Sequence, residues 1–334
     1  MSKVVRFHEL GGPEVMKLED ETPRDPGPNE VQIEVRAIGL NRAEAMYRLG
    51  HYFEQPVFPS RIGYEVSGVV RAVGTGVTTC KPGDAVATIP GYSQNQYGAY
   101  AEVSIAPAGH VVVNSPGQSF EEAAATWMQY GTAHGALIDI GRLGAGDAVV
   151  IVAASSSVGL AAIQIARMVG ATPIAATRTG AKRAALLEAG AAAVVATAED
   201  DVPAAIMAAT GGKGARIVFD PVGGPTVMKL AAGMGRDPSG KPALYFIYGG
   251  LGGGESPFPA MDSWRTGLSM RSYSAMEIWS DPARMAESQR FVLGGLASGA
   301  LKPKIARTFT LDRIVDAHHY MESNQQVGKI IVTV

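Results

Sequence analysis

The sequence is poor in cysteine and in long apolar runs. Its one cysteine, Cys80, cannot form an internal disulfide or supply a cysteine-rich metal site. No uncharged apolar run reaches the roughly 18 residues that a membrane-spanning helix needs. Residues 1–7 begin with a strand-like alternation and not with an apolar signal segment. We therefore expect a cytoplasmic protein that does not insert into membranes.

Charge of one sign is also scarce. The 29 lysines and arginines nearly balance 31 aspartates and glutamates, and no basic cluster stands out along the chain. This balance argues against nucleic acid or an anionic membrane as the main partner. With 46% hydrophobic residues in 334, the chain can bury the cores of two globular domains. A small molecule is the expected partner.

The first part of the chain has the pattern of a β domain. Residues 31–35, 65–73 and 85–88 are short, β-branched segments, and turn-forming residues at 23–28 and 81–84 separate them. Many short strands of this kind indicate a barrel or a sandwich.

Strands and helices alternate after about residue 120. Residues 120–127 and 131–140 read as helices. The strands that we predict next are 147–153, 173–177, 193–196, 216–220 and 243–248, with helices at 158–169, 181–189 and 202–210 between them. Nearly continuous apolar strands separated by helices predict a parallel, doubly wound sheet. A long helix at 281–298, a segment at 309–322 and a strand at 328–334 follow.

A turn that could hold a dinucleotide follows the first of these parallel strands. The three glycine positions of the usual fingerprint hold Ala154, Ser156 and Gly159. Such a turn directs backbone N–H groups and a helix N-terminus at a pyrophosphate. Gly159 is the small residue that close packing of helix and strand needs. The Ser156 hydroxyl could donate to a phosphate. Taken alone, the turn fits an ordinary strand–helix connection equally well.

The end of the second parallel strand favours a phosphorylated cofactor. NAD-binding domains usually carry an acid there, which binds the ribose 2′-hydroxyl. This chain has Thr177, Arg178 and Thr179, followed by Lys182. Two cations and two hydroxyls suit a 2′-phosphate, although a solvated basic turn is the alternative. We therefore predict NADP(H).

An ordered set of motifs covers almost the whole chain. They are GLNRAE at 39–44, GYEVSGVV at 63–70, VGTGV at 73–77, KPGDAV at 81–86, GAYAE at 98–102, GTA at 131–133, DPVGG at 220–224 and GKIIV at 328–332. With these motifs the chain resembles the medium-chain dehydrogenase/reductase superfamily. The similarity is to its zinc-free quinone oxidoreductase branch, which includes zeta-crystallin.

The resemblance implies a fold, an assembly and a cofactor site. The fold is α/β: a GroES-like, mostly β catalytic domain at residues 1–124 and 280–334, and a Rossmann domain with a doubly wound parallel sheet at 125–279. NADPH would bind in the cleft between them, and the strand near 269–275 would pair with its copy in a homodimer. The implied cofactor contacts are Ser155, Ser156, Ser157, Val158, Gly159, Val222, Gly223, Tyr248 and Gly249, with Thr132 and Lys329 nearby.

Departures from the zinc-dependent relatives predict that no metal is bound. Those relatives place a cysteine ligand where this chain has Asn41 and a histidine ligand where it has Tyr64, and no cysteine lies near Met128. Catalytic zinc needs three protein ligands. The histidines at 51, 110 and 134 are far apart in sequence, and His318 and His319 lie on a predicted surface helix. We expect structural roles for them.

Without a Lewis acid, the acceptor must already be electrophilic, such as a quinone or an α,β-unsaturated carbonyl. Tyr52 follows Asn41 by eleven residues, the spacing of a substrate-facing tyrosine in the family. It could stack on the acceptor or donate a proton. Asn41 and Tyr64 are the other candidate catalytic residues, and 92–97 and 261–264 are candidate pocket walls.

Two other functions stay open. One is an enoyl-thioester reductase of the same superfamily, which would need a basic entrance for a CoA or carrier-protein arm. The other is a non-catalytic cofactor-binding protein with a structural or regulatory role, as in lens crystallins of this branch. Oxidation of NADPH with a panel of enones would separate them.

Overall fold

The computed structural model describes residues 1–236 and 240–334. The chain divides into two compact units. The first unit comprises Met1–Met128 and Pro303–Val334, and the second comprises Gln129–Lys302. Among the described residues, no helix is long and apolar enough to span a lipid bilayer.

The strands are short, and most are bounded by turns. They are β1 (Ser2–Phe7), β2 (Lys17–Glu21), β3 (Glu30–Gly39), β4 (Ser60–Arg61), β5 (Glu65–Val73), β6 (Ala85–Thr88), β7 (Val103–Pro107), β8 (Val111–Val113), β9 (Ala148–Val152), β10 (Thr172–Thr177), β11 (Ala193–Ala196), β12 (Ile217–Asp220), β13 (Leu244–Ile247), β14 (Ser269–Ser272), β15 (Ile305–Thr310) and β16 (Lys329–Thr333).

The helices concentrate in the second unit. They are α1 (Arg42–Arg48), α2 (Gln94–Tyr97), α3 (Phe120–Ala123), α4 (Trp127–His134), α5 (Ser157–Met168), α6 (Arg183–Glu188), α7 (Val202–Ala209), α8 (Thr226–Ala232), α9 (Ala260–Thr266), α10 (Met276–Trp279), α11 (Pro282–Ala297) and α12 (Ile314–Glu322). A π-helical segment, Gly135–Ile140, follows α4, and one-turn 3-10 helices precede α6 and α12.

The first unit is built on two sheets. The larger has the order β15-β16-β3-β5-β6-β8, with β7 also paired to β3, and the smaller has the order β2-β1-β4. Most neighbours are antiparallel, whereas β15 and β16 run parallel. β3 alternates buried and exposed positions along part of its length, as a strand covered on one face does. The resulting mostly β unit is the expected GroES-like domain.

The second unit contains the parallel sheet. Its order is β11-β10-β9-β12-β13-β14, and each neighbouring pair is parallel. The strands read as apolar runs because helices cover both faces of such a sheet. In β9, residues 149–152 are all buried. The chain begins at the centre with β9, builds outward to β11 and then returns to β12 beside β9. This is the doubly wound arrangement that the sequence predicted.

The boundaries of the units differ from the expected domain limits. The first boundary falls four residues later than residue 124, after Met128. The second falls at Lys302 and not near residue 280, so α11 belongs to the second unit. One local reason is that the Gln164 side chain, on α5, bonds both backbone atoms of Lys302 at 2.9 and 3.0 Å.

Candidate functional site

The turn between β9 and α5 is shaped as an N-terminal helix cap. Ser156 adopts extended backbone geometry, and its Oγ accepts the N–H of Gly159 at 3.0 Å. Ala153, just before it, has φ of 50°, a left-handed conformation that costs an alanine about 1–2 kcal/mol. The Ser156 hydroxyl hydrogen is not used in the cap, so it can still donate to a ligand. The turn therefore presents hydroxyl and backbone donors at a helix N-terminus, as a phosphate site requires.

Gly159 permits the close approach of α5 to the end of β9. A Cβ at this position would lie 2.6 Å from both the Cα and the carbonyl oxygen of Ala154. Those atoms are backbone, so they cannot move aside cheaply. The packing role predicted for this glycine is what the geometry shows, in a turn whose other two fingerprint positions are not glycine.

The two predicted cations lie beside this turn. Arg178 follows β10 directly and is exposed. Lys182 lies in the 3-10 helix that follows, and its Nζ donates to Ser155 Oγ at 3.1 Å. Burial lowers the pKa of Lys182. The hydrogen bond connects the basic segment directly to the helix-cap turn, so both halves of the expected phosphate site are neighbours.

A buried aspartate shapes the loop after β12. The Asp220 carboxylate accepts the N–H groups of Val222 and Gly223 at 2.7 and 3.1 Å, and the Tyr245 hydroxyl at 2.7 Å. Asp220 is fully buried, so its charge is compensated by these three donors. The loop at Val222 and Gly223 is consequently held in one conformation at the carboxyl end of the sheet, where ligands bind in such folds.

Tyr248 and Gly249 follow the next strand, β13. The Tyr248 ring stacks on Phe219 with centroids 4.0 Å apart, and its hydroxyl oxygen is buried without a hydrogen-bond partner. Burial raises the pKa of Tyr248 well above its usual value. A buried hydroxyl without a partner is costly. Thr132, the remaining predicted cofactor residue of this unit, is buried on α4.

The candidate catalytic tyrosines of the first unit form an aromatic series. The Tyr52 and Tyr64 ring centroids are 6.3 Å apart, and those of Tyr64 and Tyr92 are 5.8 Å apart. Tyr52 is half-buried and also packs on Phe53, at 4.2 Å. Burial raises the pKa of Tyr52 to about 12 and that of Tyr64 above its usual range. Both phenols are therefore protonated at neutral pH and able to donate.

Asn41 lies in a buried polar network and not on an open surface. Its Oδ1 accepts from Lys329 Nζ at 2.6 Å, and its Nδ2 donates to Gly39 O at 3.0 Å and Glu44 Oε1 at 3.1 Å. Both amide atoms are thus engaged within the protein. The predicted contact of Asn41 with substrate or cofactor stays a prediction.

Lys329 is buried in the same network. Its side chain is fully inaccessible, and its ammonium is paired with Glu65 Oε2 at 2.6 Å as well as bonded to Asn41. The other oxygen of Glu65 accepts the N–H of Met128 at 2.9 Å. The predicted contact of Lys329 with the cofactor stays a prediction. What the structure shows is an internal cation that compensates a buried carboxylate.

Glu44 completes this network and was not singled out in the sequence. Asn41 donates to the Glu44 carboxylate from its backbone N–H and from its side-chain amide, at the start of α1. Burial raises the pKa of Glu44 to about 7, and the ammonium of Lys329 opposes that rise. The capping-box spacing N-x-x-E at 41–44 could have revealed the contact with Asn41. No local sequence pattern could have revealed that Lys329 belongs to this network.

Among residues 1–236 and 240–334, no group of three histidine, cysteine or acidic side chains is placed to hold a metal ion. His318 corrects the expectation of a surface helix, because it is fully buried and its ring lies 5.8 Å from that of Tyr100. Burial lowers the pKa of His318 to about 3. His319 is exposed and pairs with Glu14 at 2.8 Å.

The two candidate pocket walls lie in different units. Residues 92–97, in the first unit, include the buried Tyr92, whose hydroxyl donates to the carbonyl of Tyr64. Residues 261–264, in the second unit, carry two of the most exposed apolar side chains of the described chain, Met261 at 70% and Trp264 at 81%.

Comparison with known proteins places this site in a family. Residues 27–117 match the family model "Alcohol dehydrogenase GroES-like domain", and residues 157–292 match "Zinc-binding dehydrogenase". Quinone oxidoreductase 1 of Escherichia coli is 37% identical over 226 residues, covering 68% of each chain. The rat synaptic vesicle membrane protein VAT-1 homolog is 31% identical over 340 residues, covering 97% of this chain and 82% of the relative.

The structural comparison covers both units. The crystal structure of Escherichia coli quinone oxidoreductase complexed with NADPH aligns with a TM-score of 0.90 at 29% identity, over 99% of this chain and 100% of that one. Fold, family models and relatives agree with the motifs read from the sequence. The chain belongs to the medium-chain dehydrogenase/reductase superfamily, in its quinone oxidoreductase branch, and is an oxidoreductase.

Proposed function

We propose that the protein is a zinc-independent, NADPH-dependent reductase that transfers hydride to a quinone or an α,β-unsaturated carbonyl. The observation that carries the proposal is the paired arrangement beside β10. The exposed Arg178 and the Ser155-bonded Lys182 stand where an NAD-binding domain would carry an acid. The NADPH complex of the structural neighbour supports the same cofactor.

The residues of the turn fit the cofactor. Because Gly159 has no Cβ, α5 can begin close to Ala154 at the end of the sheet. The first N–H groups of the helix are then directed outward. Ser155, Ser156, Ser157 and Val158 would hold the pyrophosphate, and Arg178 and Lys182 the 2′-phosphate. The remaining contacts in this unit would come from Thr132, Val222, Gly223, Tyr248 and Gly249.

NADPH, when bound, supplies the hydride. The chain must then stabilise negative charge on the acceptor oxygen and provide a proton. Tyr52 suits this role because its pKa of about 12 keeps its hydroxyl protonated at neutral pH. Hydride adds to the conjugated carbon or ring, and the proton ends on oxygen or on the α-carbon. Tyr64 lies beside Tyr52, with ring centroids 6.3 Å apart, and would help to orient its ring.

The absence of a metal requirement rests on residue identity. Asn41 stands at a cysteine ligand position of the zinc enzymes, and its carboxamide is already bonded to the buried Lys329 ammonium. Conjugation in the acceptor spreads the developing charge, so hydrogen-bond donors replace the Lewis acid.

The decisive experiment offers the purified protein NADPH with a quinone and with an α,β-unsaturated ketone, and NADP⁺ with simple alcohols, all in the presence of a chelator. We expect turnover with the first two acceptors and little oxidation of alcohols. Rapid alcohol oxidation with inert quinones and enones would overturn the proposal. Selective turnover of enoyl thioesters would identify the thioester-reductase alternative, and NADPH binding without any turnover the non-catalytic one.

A further inference from the structure

A cavity of the Rossmann unit lies at the edge of the sheet opposite the cofactor turn. It has a volume of about 230 Å³ and is lined by residues at the amino ends of the parallel strands, including Asp147 before β9 and Thr172 at the start of β10. The cofactor turn follows β9 at its other end. Five residues of strand, roughly 16 Å, separate the two edges. The cavity is thus a separate feature of this unit.

Cationic side chains dominate the cavity. Lys213, Arg216 and Arg236 line it, and Lys241 reaches Asp147 Oδ2 at 3.3 Å. Asp147 is the acid among these lining residues. Its carboxylate also pairs with the Arg216 guanidinium at 2.9 and 3.0 Å and accepts the N–H of Gly144 at 2.9 Å. Arg216 and Lys241 therefore share the charge of Asp147, which is not paired with Lys213 or Arg236.

The backbone segments that carry Lys213 and Arg236 lie against each other. The segments that carry them meet through a parallel bridge between Ala215 and Met234, and Gly235 N donates to Ala215 O at 3.1 Å. A Cβ at Gly235 would lie 1.7 Å from the carbonyl oxygen of Lys213. Only glycine permits this approach. Both cations are exposed, and neither forms an ion pair with any described residue.

We propose that this cavity is an anion site that takes a small phosphate-bearing ligand. A lysine ammonium and an arginine guanidinium fixed on adjoining backbone segments match a group with several charged oxygens better than a single carboxylate. The volume is below the usual range for drug-sized ligands, which suits a compact anion. The buried Arg216–Asp147 pair forms the rigid base of the site.

The test is calorimetric titration of the intact protein with pyrophosphate at constant ionic strength, with NADP⁺ present so that the proposed cofactor turn is filled. We expect one saturable site. Lys213→Ala and Arg236→Ala should each raise Kd by about five-fold or more, as loss of a charge-assisted hydrogen bond does. Lys229→Ala, an exposed lysine of α8 outside the cavity, should change Kd less than two-fold.

Several outcomes would overturn the proposal. One is a pyrophosphate titration of the native protein that shows no saturable heat. Another is an equal loss of affinity in Lys229→Ala and Lys213→Ala. A third is acetate that binds as tightly as pyrophosphate. Lys213→Arg, which keeps the charge, should retain affinity within about three-fold, and melting curves verify that each variant is folded. A titration with NADP⁺ alone reports separately on the proposed cofactor site.

Discussion

Arg178 decides the choice between the two nicotinamide cofactors in our proposal. Replacing it by alanine should weaken NADPH binding by about 1.5–3 kcal/mol, because a charge-assisted hydrogen bond to the 2′-phosphate is lost. NADH affinity should barely change. Arg290→Ala is the matched control, since Arg290 is an exposed arginine of the same unit, on α11. Fluorescence titration with both cofactors measures the effect. Equal affinity of the native protein for NADPH and NADH would contradict the assignment.

Tyr52 is the predicted proton donor. Tyr52→Phe should lower kcat roughly ten- to a thousand-fold with a quinone or enone, the range of general-acid contributions, and leave KM nearly unchanged. Tyr320→Phe, a half-buried tyrosine of α12, should behave as the native enzyme. A change confined to KM would mean that the ring of Tyr52 stacks on the acceptor and that another group supplies the proton.

Glu44 should make the stability of the protein depend on pH. Its folded-state pKa of about 7 lies above the usual value of 4.5, so ionisation is harder in the folded state. The stabilisation is full below pH 4.5 and is lost as pH rises towards 7, by up to about 3 kcal/mol. Glu44→Gln should therefore become more stable relative to the native protein between pH 5 and pH 8.

Urea unfolding at both pH values measures this difference. Glu9→Gln, a change at an exposed carboxylate, is the control and should follow the native curve. If the free energy of unfolding changed with pH by the same amount in Glu44→Gln and in the native protein, Glu44 would not titrate in this range.

The sequence revealed single residues of the site better than their partners. Arg178 and Lys182 could be proposed from the sequence because their place after the second parallel strand has a fixed chemical meaning. The bond between Lys329 and Asn41 joins residues 288 positions apart, so no local pattern contains it. Burial of His318 was missed for the same reason. Its neighbour Tyr100 comes from a distant strand connection.

At the scale of elements, Gly159 sets the spacing of α5 and β9. Gly159→Ala should lower the free energy of unfolding by about 1–3 kcal/mol, because its Cβ would overlap the backbone of Ala154. Gly294→Ala is the matched control within α11, where a Cβ meets nothing within 4 Å. It should be neutral or stabilising by up to about 1 kcal/mol through helix propensity. Thermal unfolding compares the two, and equal melting temperatures would refute the packing argument.

The elements that sequence patterns predicted are those with strong periodicity. The parallel strands β9 to β13 and the helices α5, α7 and α11 lie within one or two residues of their predicted limits. Helices α8, α9 and α10 were not predicted. α9 and α10 are short, and α9 leaves Met261 and Trp264 exposed, so it lacks the apolar stripe by which a helix is recognised.

At the scale of the molecule, β14 is one of the two edge strands of the parallel sheet, with β11 at the other edge. Ser269 and Tyr273 donate their N–H groups to β13, so the N–H groups of Met270 and Ser272 point away from it. We propose that this edge pairs with its copy in a homodimer. Ser272→Pro removes one outward N–H and should weaken dimerisation at least about ten-fold. Ser272→Ala, which keeps it, should not. A native protein that sediments as a monomer would contradict the proposal.

The first unit is assembled from two stretches of chain that the whole second unit separates. A ribosome releases β3 and β5 long before β16, the strand that pairs with β3 and lies between it and β15. Until Lys329 emerges, the carboxylates of Glu44 and Glu65 have no internal cation to compensate them. The second unit is synthesised without interruption. Synthesis order therefore favours a nascent protein whose dinucleotide-binding half folds first, while its catalytic half waits for its last strand.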